Sequence, residues 1–239
     1  PAPAHARVTG ERLELLNVEI DLGDPPDWDF EGAGPLWSYH LHQFDWLRQP
    51  ELSAERRTTL LLDWVQRHRE GVGWNPHPIS LRILSWGKLL LTHGALRQDA
   101  GVVDALASSL TDQAETLARR PEKRLQANHL LSNRLGVVFA GLLLRGEWAD
   151  RWLASTPVFC QELARQIDRD GAHVERSPMY HALLLENLLD LLNLARCVPD
   201  RAPAVLVRDL EDCTSRMLGA LRVWTHPDGN IALFGDSAF

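Results

Sequence analysis

From Pro35 onward, apolar residues recur three and four positions apart in window after window, the pattern of amphipathic helices. The spacing predicts helices over 36–48, 53–69, 79–93, 101–119, 127–145, 147–168, 178–196 and 203–224. Pro50, Gly71-Val72-Gly73, Gly94, Pro121, Gly146, Asp170-Gly171 and Pro199 punctuate them. Ser53 is placed to cap one helix. Ser177 is placed to cap another, with Pro178 at the first helical position, where its fixed φ suits the helix. Trp74-Asn75-Pro76-His77-Pro78 predicts an extended turn before a helix at Ile79, because a residue preceding proline avoids the α region. Ahead of Pro35 the pattern is different. Clusters of Pro, Gly and Asp predict a loop-rich lead-in over 1–34, with at most a short strand at Leu13–Ile20. After 225, His226-Pro227-Asp228-Gly229 through Gly235-Asp236 reads as a turn feeding a short strand.

Consecutive helices with short connections imply antiparallel hairpins in an all-α fold. No internal repeat of fixed period is present, which weighs against regular repeat arrays and favours an irregular α/α toroid. The organisation expected is a lead-in (1–34), a helical domain (35–225) and a C-terminal β segment (226–239).

A net charge of −7, from 25 Lys and Arg against 32 Asp and Glu, argues against a general surface for nucleic acid. A local basic cleft is still compatible with it. Arg119, Arg120, Lys123 and Arg124 read as a solvated helix end, while Arg82, Arg134 and Arg176 fall in or near the segments discussed below. No run of 18 apolar residues occurs, so no membrane span is expected. Cys160, Cys197 and Cys213 have no metal-ligand spacing and form no disulfide framework; packed free thiols and a single bridge both fit them. Nine Trp against two Tyr point to indole-filled cores, with one or two indoles expected to line a cleft. There is no His-Glu-x-x-His, Cys-x-x-Cys, Gly-rich phosphate loop or Gly-x-Ser-x-Gly, so neither metal nor cofactor is expected.

Two segments carry the candidate chemistry. They are Asn128-His129-Leu130-Leu131-Ser132-Asn133 and Asp170-Gly171-Ala172-His173-Val174-Glu175-Arg176-Ser177-Pro178-Met179-Tyr180-His181. A neutral amide can face a carboxylate without repelling it, and Tyr and His can move protons beside it. Together they suit proton abstraction next to a carboxylate, the chemistry of β-elimination. Simpler roles compete at each position. Asn128 also suits a helix cap, Tyr180 a buried phenol with one satisfied hydrogen bond, His129 and His181 structural hydrogen bonding, and Glu175 local capping. His173 is a loop histidine without an assigned role, and Asn133 reads as structural.

With Trp37-Ser38-Tyr39-His40-Leu41-His42-Gln43-Phe44-Asp45-Trp46-Leu47 and Trp74 through Trp86, these segments resemble, in order, the heparinase II/III-type polysaccharide lyases, which include related alginate lyases. Pro227-Asp228-Gly229 through Gly235-Asp236-Ser237 is a weaker fifth segment. The resemblance implies an incomplete α/α toroid followed by a β-sandwich that completes the cleft, and a chain that stops where the sandwich begins. It implies an acidic polysaccharide substrate and a periplasmic or secreted setting. By position, Asn128 would neutralise the uronate carboxylate and Tyr180 would act as base, acid or both at the scissile linkage. His129 and His181 would tune the phenol, which needs a nearby cation to lower its pKa before it can take a proton, or would serve as a second proton shuttle. Tyr39, His40, Arg82, Glu175 and His181 would contact substrate. Two further readings are a toroid glycoside hydrolase drawing a carboxylate pair from Asp170, Glu175, Asp228 and Asp236, and a non-catalytic glycan-binding module.

Overall fold

A computed structural model describes residues 6–122 and 128–238. The chain divides into two compact units, Pro1–Arg120 and Pro121–Phe239, a division that falls inside the expected helical domain. Lys123, Arg124 and the expected helix start at 127 lie outside the described residues.

The first unit begins with a three-stranded antiparallel sheet in place of the single short strand expected at Leu13–Ile20. Its strands are β1 (Ala6–Thr9), β2 (Arg12–Leu15) and β3 (Val18–Asp21), in the order β1-β2-β3. Leu13 and Leu15 on the central strand are buried, so the alternation that makes a half-buried strand is present, but over only four residues. Gln49 ties β1 down: its side-chain oxygen accepts from Val8 N (3.0 Å), and its amide nitrogen donates to Ala6 O. Trp37 Nε1 donates to Val18 O (3.1 Å) on β3.

Four helices follow: α1 (Pro35–Gln43), α2 (Ala54–Arg67), α3 (Pro76–Thr92) and α4 (Ala100–Arg119). The helix expected over 36–48 breaks at Phe44, which adopts a left-handed conformation (φ 60°) before a 3₁₀ turn at Asp45–Arg48. That break drops the Phe44 ring among Trp28, Trp46, Trp64 and Trp86, with centroids 5.4–5.9 Å away. Burial of aromatic surface outweighs the small cost of the left-handed residue. The expected Ser53 cap is present, its hydroxyl accepting from Arg56 N (3.0 Å). The extended turn is confined to Asn75, and α3 already starts at Pro76. Both prolines sit in the first turn, whose N–H groups have no intrahelical partners, so their missing donors cost little.

The core of this unit is organised by Arg82, expected as a substrate ligand but fully buried. Its Nε donates to Gln113 Oε1 (2.9 Å), and one terminal nitrogen donates to His42 O (3.0 Å) and Gly73 O (2.9 Å). The guanidinium carbon lies 4.2 Å from the Trp64 ring centroid. Burial lowers its pKa to about 9, which leaves it protonated at neutral pH. This correction has a clear cause: a planar cation with a fork of donors suits backbone carbonyls and an indole face as well as a ligand carboxylate.

The second unit contains α5 (Asn128–Leu143), α6 (Glu147–Leu153), α7 (Thr156–Gln166), α8 (Pro178–Cys197) and α9 (Ala204–Val223). α5 packs on α6, α7 and α8, and α8 packs on α9. The single helix expected over 147–168 is two, because Pro157 has no N–H for the ladder and its ring excludes the carbonyl of Leu153. That carbonyl instead accepts the Thr156 hydroxyl (2.7 Å). The expected C-terminal strand is only an isolated bridge, Thr225 to Ile231. Cys160, Cys197 and Cys213 are all free thiols.

Two predictions follow from the first core. Arg82→Ala removes three charge-assisted hydrogen bonds and leaves two buried carbonyls unpaired, and should cost more than about 3 kcal/mol in urea unfolding. His42 is fully buried, accepts from Trp64 Nε1 (3.1 Å), and has its pKa lowered to about 2 by burial, Arg82 and His68. The unfolded chain takes up the proton that folded His42 refuses. Its stabilising effect is therefore complete above about pH 6.5 and is lost below it, at up to about 1.4 kcal/mol per pH unit. The urea midpoint read by Trp fluorescence should fall between pH 7.5 and 5.5; a constant midpoint would show that folded His42 accepts the proton.

Candidate active site

The Asp170–Tyr180 segment is a tight loop leading into α8. Asp168 N donates to Ala172 O (2.9 Å), Val174 N to Gln166 O (2.9 Å) and Arg176 N to His173 O (3.0 Å), with Arg176 in a left-handed conformation (φ 53°). Gly171 (φ +87°) is required here, because a Cβ would lie 2.2 Å from Arg216 O on α9. His173 is wholly buried, its Nε2 3.2 Å from Gln166 Oε1.

This loop delivers Glu175 to the start of α5. The two carboxylate oxygens accept separately, one from Asn128 N (2.9 Å) and the other from Asn128 Nδ2 (3.1 Å). Asn128 therefore opens α5 by donating to a distant carboxylate, where the capping role would have its side chain accepting from the next turn. A carboxylate only accepts, so the amide nitrogen must be the atom facing Glu175. One N–H is used there. Among the described residues, the second N–H and the amide oxygen make no further hydrogen bond, on a side chain held from both ends.

His129, next on the helix, places Nδ1 3.3 Å from Glu122 Oε2, and both side chains are largely buried. Asn133, buried one turn further on, accepts from Glu122 N (2.9 Å) and so fixes the segment carrying that carboxylate. Asn133 is structural, as expected. Glu122 was missed, because nothing in the spacing around Pro121 marks it as a partner for His129.

Tyr180 is half-buried on the first turn of α8, whose Ser177 cap is present (Oγ accepting from Tyr180 N, 3.3 Å). Burial, Asp236 and Glu175 all raise its pKa. The resemblance implied a nearby cation lowering that pKa, and the shift runs the other way. His181, offered as a tuning cation or substrate ligand, does neither. It is fully buried, with Nε2 2.9 Å from Met217 O and its ring edge-on to Trp224, and burial lowers its pKa. The residue after Tyr180 points about 100° away around the helix, into the α8–α9 seam.

Tyr39 and His40 lie half-buried on α1 in the first unit, with Tyr39 Oη accepting from Asn75 Nδ2 (3.1 Å). Six Trp are buried, while Trp148 on α6 is 41% exposed under Arg151. Of the four carboxylates offered for a hydrolase pair, three accept locally, Asp170 from Ala172 N, Asp228 from Asn230 N and Glu175 from Asn128, while Asp236 is exposed. No helix among the described residues is long and apolar enough to cross a membrane.

Residues 38–239 match the family model described as heparinase II/III N-terminus. No relative among curated proteins matches the sequence. Among solved structures, a mutant of the heparan sulfate lyase HepC from Pedobacter heparinus is similar over 92% of this chain and 37% of its own, with 23% identity and a TM-score of 0.63. A structure of heparinase III is similar over 90% of this chain and 35% of its own, with 18% identity and a TM-score of 0.67. These likenesses bear on the fold, and its class is the expected one: helical hairpins of the α/α toroid type. The chain spans little more than a third of the length of either protein.

The Asn128 clamp yields a direct test. Glu175→Ala removes two charge-assisted hydrogen bonds and should lower stability by about 1.5–3 kcal/mol, with faster amide exchange at Asn128 than at mid-α5 residues. Glu175→Gln keeps one acceptor and should fall between.

Proposed function

The chain belongs to the heparinase II/III family, and on that basis we propose that it is the helical part of a polysaccharide lyase that cleaves a uronate-containing glycan by β-elimination. The observation that carries this reading is Asn128, a neutral donor fixed by Glu175 and still able to donate a second N–H to a substrate carboxylate. Electron density released at the carbon beside that carboxylate is delocalised into it, and the amide stabilises the resulting charge without a proton transfer of its own.

The raised pKa of Tyr180 supports the role of acid over that of base. Its phenol O–H donates a proton to the departing 4-oxygen as the C4–O bond breaks. His129 then serves as the base. Its imidazole, with Nδ1 3.3 Å from Glu122 Oε2, is proposed to take the proton from C5 while the C–H electron pair forms the C4–C5 double bond. Tyr39 and His40 are proposed as sugar contacts, and Glu175 acts on substrate through Asn128. Arg82 and His181, both wholly buried, take no part in binding. The setting proposed is the periplasm or the cell exterior, where acidic polysaccharides are met.

The test is near-ultraviolet absorbance from the new conjugated double bond, across heparan-like, alginate-like and bacterial uronate polysaccharides, on this chain and on the complete gene product. Tyr180→Phe should lower the rate at least about 10²-fold, and Asn128→Ala by about 10²–10³-fold. New reducing ends without absorbance would establish a hydrolase instead, and binding without either product a glycan-binding module.

A further inference from the structure

The first turn of a helix carries N–H groups with no intrahelical acceptor, and α8 satisfies one of its own from far along the chain. Ser177 Oγ accepts from Tyr180 N (3.3 Å), and Ser177 O accepts from His181 N (2.9 Å). Met179 N reaches elsewhere, donating to Ser237 Oγ (3.1 Å), 58 residues away. The two serine oxygens lie 3.1 Å apart. Proton accounting orients that pair. Ser177 Oγ already accepts once and its residue is buried, so its own proton goes to Ser237 Oγ. Ser237 therefore accepts twice and holds Met179 and Ser177 together. The segment that brings it there is shaped for the approach. His226 N donates to Asn230 O (2.8 Å) and Ala232 N to Trp224 O (2.7 Å), turning the chain back after α9. Trp224 makes edge-to-face contacts with both His181 and Phe234, with centroids 5.0 and 5.8 Å away. Gly235 (φ +60°) then packs so closely on the loop before α8 that a Cβ would lie 2.9 Å from Arg176 O.

We propose that Ser237 is a positioning residue for Tyr180, fixing the first turn of α8 and with it the direction in which the phenol leaves the helix. This rests on the acid role given to Tyr180 above. A phenol oxygen stands at the far end of a long, stiff side chain. A small rotation of its backbone swings it through about 1 Å, enough to cost on the order of 10²-fold in a proton transfer. Helix ends fray where their donors are left to water. Without the Ser237 hydroxyl, Met179 N loses its acceptor and the buried Ser177 proton loses its own, so the cap on Tyr180 N is free to rearrange. Asn128 is held separately, by Glu175. Ser237 therefore bears on proton donation and not on the hold on a substrate carboxylate. Its loss should lower kcat and leave KM nearly unchanged, the signature of an interaction made in the transition state.

The chain has two tyrosines, Tyr39 in the first unit and Tyr180 in the second. Ring-labelled tyrosine therefore gives Tyr180 NMR signals with Tyr39 as internal control, assigned with Tyr39→Phe. Ser237→Ala should shift the Tyr180 ring signals and leave those of Tyr39 in place. It should also speed amide exchange at Met179 and Tyr180 by about 5–10-fold relative to mid-α8 residues. Gly235→Ala, which displaces the segment but keeps the hydroxyl, should do the same. Ser237→Thr keeps the acceptor and should restore both signals and exchange. In the elimination assay on the complete gene product, Ser237→Ala should lower kcat about 5–20-fold with KM within about twofold, and Ser237→Thr should recover most of the rate. Tyr180 signals and Met179 exchange that are unchanged in Ser237→Ala overturn the proposal. So does an unchanged kcat, a loss that falls on KM, or one that Ser237→Thr fails to recover. A complete gene product silent on every polysaccharide defeats the lyase reading, while the NMR still decides whether Ser237 sets the Tyr180 turn.

Discussion

The candidate site depends on one carboxylate holding one residue at two points. Glu175 takes both the backbone N–H and the side-chain amide of Asn128, and each bond removes a different freedom. The first fixes where α5 begins; the second fixes which face of the amide is nitrogen. An unheld asparagine exchanges its oxygen and nitrogen by rotation about a soft terminal torsion, and would present an acceptor to an anionic ligand for part of the time. The loop that delivers Glu175 is correspondingly constrained, with a glycine against α9, a left-handed Arg176 and a buried His173. Each of these is unfavourable locally and is retained where the surroundings over-determine it.

The first unit uses the same device with the opposite sign. Arg82 is a buried cation held by backbone carbonyls, a glutamine and an indole face. Its charge has a consequence beyond its hydrogen bonds, because it helps keep His42 neutral, as the bond from Trp64 Nε1 to the imidazole lone pair requires. The aromatic cluster and the buried arginine are therefore one arrangement. The indoles supply both apolar area and a surface on which a guanidinium is tolerated without a counter-ion.

Helix periodicity, the Ser53 and Ser177 caps, the structural role of Asn133 and the family likeness were legible in the sequence because each depends on residues close together along the chain. What was not legible depends on tertiary choice. Pro157 was visible but lay within a strong apolar period that masked its break. The four-residue strands were too short for alternation to stand out. Arg82 lies in a family-like segment, yet its donors fit a ring of carbonyls as well as a ligand, and only burial distinguishes the two. The charges acting on Tyr180 were not legible for a related reason. The nearest histidine in sequence points into the α8–α9 seam, while burial and the charges of Asp236 and Glu175 raise the phenol's pKa.

Two carboxylates that raise the pKa of a phenol are an unexpected environment for a site proposed to bind a polyanion, and the proton accounting resolves the difficulty. A substrate carboxylate arriving at Asn128 adds a third negative charge, which raises the pKa of Tyr180 further and strengthens its hold on the proton. The phenol is thus kept from serving as base at the stage when a base is needed. When the C–O bond breaks, the developing negative charge on the departing oxygen is what Tyr180 neutralises, and giving up its proton there no longer adds net charge to the site. Under this reading the acidic surroundings of Tyr180 suit it to the acid role before substrate arrives, and the base must come from another residue.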